Sequence, residues 1–91
     1  MTEAPPPRVV AAALLLEDGF IFTQPPPARH HTLVHRFCRI TGRPFTSLDS
    51  QGFLLSTGTF AERELAARVA LASGQLDRLN HPPNLYSEDL W

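Results

Sequence analysis

Lysine is absent from this chain of 91 residues, and cysteine, methionine, tryptophan and tyrosine each occur once. The lone Cys38 excludes an internal disulfide framework and fits a reducing compartment. A net charge of -1 and a pI near 6.4 leave no basic footprint, so general nucleic-acid binding is disfavoured. Any anionic ligand must therefore be met by locally placed arginines, which bind phosphate bidentately. Long hydrophobic runs are missing too: Val9 to Leu16 is too short to span a bilayer. It also fits a signal peptide poorly, because Glu3 and Pro5 to Pro7 precede it and Glu17 and Asp18 follow at once. These absences predict a soluble, cytoplasmic protein without a membrane partner. A chain this short buries only about 60 to 65% of its unfolded surface. Self-association would supplement so modest a core.

What is present divides into a proline-rich N-terminal tail, residues 1–7, expected to be extended or disordered, and one α+β domain, residues 8–91. The run VVAAALLL breaks at Glu17-Asp18-Gly19 and resumes at Phe20 to Thr23, and Asp-Gly between two apolar runs predicts a hairpin. Pro25 to Pro27 form a rigid connector. From Ala28 the period becomes helical, with Leu33, Val34, Phe37 and Ile40 on one face and Arg29, His31, His35, Arg36 and Arg39 on the other. Gly42 and Pro44 stop that helix, and a polar loop runs on through Asp49. The stretch Gln51 to Gln75 then reads as a strand, a Thr-Gly turn and a second helix. That helix is predicted to begin at Thr59, whose hydroxyl and Glu62 would make a capping box, and to end at Gly74. At 100° per residue its apolar side chains fall on two sides, Leu65, Val69, Ala61 and Ala72 against Phe60, Ala67 and Leu71. The first partner would be the sheet, and the second either more of the core or another copy of the chain. Residues 75–83 read as a linker, and Leu85 to Trp91 as a docked tail. The fold class is thus a small antiparallel sheet with two helices, homo-oligomeric.

Catalytic signatures are sparse. His31, His35 and Cys38 share a helix flank, yet a structural zinc site needs a fourth ligand that only His30, His81 or a carboxylate could supply. No metal is expected. His30-His31-Thr32 resembles half of the two-histidine phosphoesterase signature, and its second half is missing. There is no P-loop, dinucleotide fingerprint, G-x-S-x-G or H-E-x-x-H, so neither a cofactor nor enzymatic activity is expected. What remains is a binding set: Arg29 and His30 at the start of the first helix, Phe53 in the strand, Arg63 early in the second helix and Arg78 after it. Arginines for phosphates and an aromatic face for a base would suit a small phosphorylated nucleotide.

Arg29-His30, Gln51-Gly52-Phe53, Thr59-Phe60, Arg63-Glu64, Ala66, Ala72, Gly74-Gln75 and the closing LYSEDLW occur in order along most of the chain. In this combination the sequence resembles the small phage proteins of the Thoeris anti-defence sponge type. The resemblance implies a compact α+β protomer assembling into dimers and hexamers. It also implies binding, without cleavage, of cyclic ADP-ribose isomers made by TIR-domain enzymes of the infected bacterial host. Some members hold cyclic oligonucleotides at a second pocket. By position, Arg29, His30, Gln51, Phe53, Arg63 and Arg78 would form the ligand site, with Phe53 against the adenine and Arg78 near the phosphates. Two other readings stay open: a cyclic-nucleotide phosphoesterase using His30 and Thr32, and a protein-protein inhibitor acting through the Leu65 and Val69 side.

Overall fold

The computed structural model describes residues 6–46 and 49–91. The expected tail therefore falls almost wholly outside the described residues, as do Ser47 and Leu48 of the polar loop. The architecture is a four-stranded antiparallel sheet of order β2-β1-β3-β4 with two helices, the α+β arrangement expected of the protomer. Strand β1 (Val9–Leu15) pairs with β2 (Ile21–Thr23) through the expected hairpin, in which Gly19 takes φ 89° and the Asp18 carboxylate accepts the Phe20 amide at 3.0 Å. Only glycine adopts that φ without steric penalty, which is why Asp-Gly reverses the chain here. Helix α1 (His30–Thr41) follows, then β3 (Ser50–Leu55), β4 (Phe60–Glu62) and α2 (Arg63–Ala72).

Both helices cover the same face of the sheet. Ala12, Leu14 and Leu16 pack with Leu33 and Phe37 of α1, while Val9, Phe53, Leu55 and Ala61 pack with Ala66, Ala67, Val69 and Ala70 of α2. Side chains alternate between faces along a strand, so β1 supplies every second residue to this core. Val9 joins it only because the β1–β3 register shifts between Val9 and Ala11, an irregularity that turns Val10 outward. Fully burying one such Leu contributes about 1.5–3 kcal/mol.

Some expectations need correction. The second helix begins at Arg63, because Phe60 to Glu62 pair with β3 as a strand. No capping box forms at Thr59: its hydroxyl meets that of Thr57 at 2.8 Å and its carbonyl accepts the Leu55 amide at 2.9 Å, closing the β3–β4 turn. Ladder pairing for three residues outweighed a local cap. Within the protomer α2 has one buried side, and Leu65 and Leu71 point outward. Ile40, which shares the apolar face of α1 by periodicity, is nevertheless 70% exposed, since it lies past Phe37 near the end of the helix.

Candidate functional site

The C-terminal segment organises the site. After α2 the chain returns through a His81–Asn84 bridge to Leu85, and a 3-10 turn at Ser87–Asp89 brings Trp91 back over the sheet. Asp89 secures that turn by accepting the Tyr86 amide at 2.9 Å and the Asn80 side-chain amide at 2.8 Å. Leu85 and Ser87 are buried, and Trp91 packs against both halves of the core. The tail is docked, as its apolar residues implied.

Five of the six site residues meet this segment directly or through one neighbour. Arg29 precedes α1 and donates from Nε to the main-chain oxygen of Trp91 at 2.8 Å, while the Trp91 indole donates to the Ala28 carbonyl at 3.0 Å. His30 is buried between β3 and the tail: Nε2 lies 2.6 Å from the Gly52 carbonyl and Nδ1 3.3 Å from the Ser87 hydroxyl. A carbonyl only accepts, so Nε2 carries the proton and Nδ1 accepts from Ser87. Burial is the main cause that lowers the His30 pKa from 6.5, with Arg63 and His31 adding to it against the Gly52 hydrogen bond and Glu88, and the ring is neutral near pH 7. Phe53 stacks edge-on against His30 at 4.9 Å and against Trp91 at 6.5 Å. Its ring is 0% exposed, so in this conformation Phe53 is a core residue with no face open to a base.

Arg63 and Gln51 form the accessible part. Arg63 donates to the Leu85 carbonyl at 2.9 Å and to the Gln51 side-chain oxygen at 2.8 Å, and its guanidinium lies 4.5 Å from the centre of the Tyr86 ring. Partial burial lowers its pKa, but an arginine has so much reserve that it stays charged. Ser50, Gln51, Glu62, Arg63, Glu64 and Asn84 line an open cleft of about 440 Å³, within the 300–1,000 Å³ range common for small-molecule sites. Arg78 does not join them. It is exposed beyond α2 and makes no side-chain hydrogen bond or ion pair among the described residues.

His30 and Thr32, the residues of the phosphoesterase reading, are both hydrogen-bonded within the fold. Both His30 nitrogens are engaged in the interior, and the Thr32 hydroxyl accepts the Arg29 amide at 3.4 Å. Among the described residues no three His, Cys, Asp or Glu side chains gather as metal ligands, and no helix is long and apolar enough to cross a membrane. Sequence reasoning missed Tyr86, Ser87 and Asn84, which complete the surroundings of Arg63 and His30. All three belong to or adjoin the LYSEDLW segment, the signal that could have found them.

Residues 8–91 match the family model of the phage T4 y16D protein, so the chain belongs to that family of phage proteins. No curated protein and no solved structure matches it.

Proposed function

We propose that this protein binds and sequesters a nucleotide immune second messenger, a cyclic ADP-ribose isomer, without cleaving it, and so acts as a phage anti-defence sponge in the cytoplasm of an infected bacterium. One observation carries the reading: Gln51 and Arg63, two residues already implied by the family resemblance, share one cleft with Ser50 and Asn84. Arg63 is held there by Leu85, Gln51 and Tyr86, so little side-chain freedom is lost when a ligand arrives. The guanidinium would meet a phosphate oxygen, the amides of Gln51 and Asn84 would meet a base edge, and Glu62 and Glu64 would accept ribose hydroxyls. Arg78 would reach the ligand from a second copy of the chain, since nothing places it beside the cleft of its own protomer. The exposed Leu65 and Leu71 would serve dimer or hexamer assembly.

Sequestration works by mass action, so nanomolar affinity, about 12 kcal/mol, is required. Calorimetric titration with a TIR-made cyclic ADP-ribose isomer, followed by heat release and mass analysis of the ligand, tests the proposal. Tight binding with intact ligand recovered is expected, lost in Gln51→Ala and Arg63→Ala. A linear product would move the protein to the phosphoesterase class. Absence of heat with this ligand and with cyclic oligonucleotides would favour a protein partner.

A further inference from the structure

Two exposed apolar side chains stand at one end of the molecule, each beside charges of a single sign. Phe20, 61% exposed, follows the tip of the β1–β2 hairpin next to Glu17 and Asp18. Ile40 lies among His35, Arg36 and Arg39, and these four side chains line an open cleft of about 430 Å³ on the outer side of α1. Contacts between the two elements place them at the same end. The Phe22 and Phe37 rings meet at 5.9 Å, and the Arg43 guanidinium lies 5.5 Å from the centre of the Phe37 ring. Asp49, which accepts the Glu17 amide at 2.9 Å, also feels the charge of Arg43. The end of α1 and the hairpin tip are therefore neighbours.

Little within the protomer accounts for either group. The turn is made by the Asp18 carboxylate and by Gly19, and an aromatic ring at position 20 adds nothing to it. Asp18 and Asp49 bracket a stretch that has no acidic residue and holds half of the eight arginines, Arg29, Arg36, Arg39 and Arg43. Arg39 in the last turn suits the helix dipole, but Arg36 and Arg39 are neighbours on the helix surface and repel. Among the described residues neither arginine makes an ion pair, and Glu17 and Asp18 have no cationic partner.

We propose that the α1 cleft receives the hairpin tip of a second copy of this chain, with Phe20 of that copy seated beside Ile40 and its Glu17 and Asp18 paired with Arg36 and Arg39. Charge complementarity selects this occupant: the tip carries an aromatic anchor and two carboxylates, and the cleft offers an apolar floor and two unpaired guanidinium groups. An aromatic anchor bordered by arginine pairs is the composition of an interface hot spot. Because tip and cleft share one end, a two-fold axis lets each copy give a tip and receive one, so the contact forms twice. It involves roughly eight residues a side, against roughly 20–30 in a standard interface, which predicts micromolar rather than nanomolar self-association. This contact is separate from the Leu65 and Leu71 side of α2 and needs no nucleotide.

Sedimentation velocity without nucleotide tests this, at low ionic strength where charge pairs are least screened and over about 10 to 300 µM protein. The wild type should associate as its concentration rises. Phe20→Ser removes the anchor, and the double variant Arg36→Glu with Arg39→Glu reverses the cleft. A second double variant, Glu17→Arg with Asp18→Asn, reverses the tip while keeping an oxygen for the Phe20 amide. All these side chains are exposed, so far-UV circular dichroism should be unchanged. Each variant should weaken association at least tenfold. An equimolar mixture of the two double variants should recover it, because both altered groups then meet their complements. Should a charge reversal perturb the fold, Phe20→Ser and Ile40→Ser decide in its place. A wild type that stays monomeric overturns the proposal. So does undiminished association in any folded variant, or a mixture that associates as weakly as its components. With no nucleotide present, the result is independent of whether the sponge reading holds.

Discussion

Arg63 and Leu85 bond each other twice: the guanidinium donates to the Leu85 carbonyl at 2.9 Å, and the Leu85 amide donates to the Arg63 carbonyl at 3.1 Å. The first turn of α2 and the start of the tail are therefore one unit. Arg63→Lys retains the charge but not the fork that spans Leu85 and Gln51. It should cost about 1–2 kcal/mol, and Arg63→Ala about 2–4 kcal/mol, from lost charge-assisted hydrogen bonds and the Tyr86 contact. Urea unfolding of both variants measures this, and equal stability in all three proteins would show that the fork is dispensable.

Gly52→Ala tests the closeness of β3 and β4. A Cβ at this position would collide with the Ala61 carbonyl and with the Phe60 ring, which lies across Gly52. The Ala61 collision is with backbone and cannot be relieved by a rotamer change. Overpacking of this kind costs about 1–3 kcal/mol, read as a lower urea midpoint at unchanged slope.

Gln75 acts as a substitute strand. Its side-chain amide donates to the Val9 carbonyl and accepts the Val9 amide, both at 2.8 Å, on the edge of β1 that the three-residue β2 does not reach. Gln75→Ala would leave two main-chain groups of a buried residue unpaired and should destabilise the fold by about 2–4 kcal/mol. Gln75→Glu, which removes the donor and keeps the acceptor, should fall between the two in a thermal melt.

Asp49 gives the acid limb of stability. Its carboxylate accepts the amides of Thr46 and Glu17, each at 2.9 Å, and these bonds, that of Thr46 first, hold its pKa below 3.8. A depressed folded value means that the stabilisation is present above pH 3.8 and is lost as pH falls through the folded value. Asp49→Asn should flatten this part of the pH–stability curve and leave the curve above pH 5 parallel to that of the wild type.

Phe53→Ala and Gln51→Ala separate core from cleft. Phe53 is fully buried between His30, Trp91 and α2, so truncation should cost about 3–5 kcal/mol and unfold much of the protein. Gln51 is exposed, and Gln51→Ala should leave the melting temperature nearly unchanged while weakening nucleotide binding at least tenfold in calorimetry.

The hairpin, β3 and the first helix were legible because they rest on local signals: Asp-Gly at the turn close behind the Val-Val start of β1, and a 3.6-residue period closed by Gly42. The start of α2 was not, because Thr59 to Glu62 satisfy a capping rule locally while β3 offers the same residues a ladder, and only the tertiary partner decides. Arg29, His30, Gln51, Phe53 and Arg63 do converge on the tail, but Phe53 and His30 face inward. Burial of a residue on β3 depends on which strand end the tail covers, and no periodicity encodes that.

The outward turn of Val10 bears on how chain length can vary. Val9 pairs with Leu55 and Ala11 with Leu54, so β1 spends one residue more than its partner between two neighbouring rungs. Removing that residue would leave Val9 and Ala11 in simple alternation, still facing the sides they face now. Of all positions in the central strand, this is where relatives can differ by a single insertion or deletion and inherit the same interior.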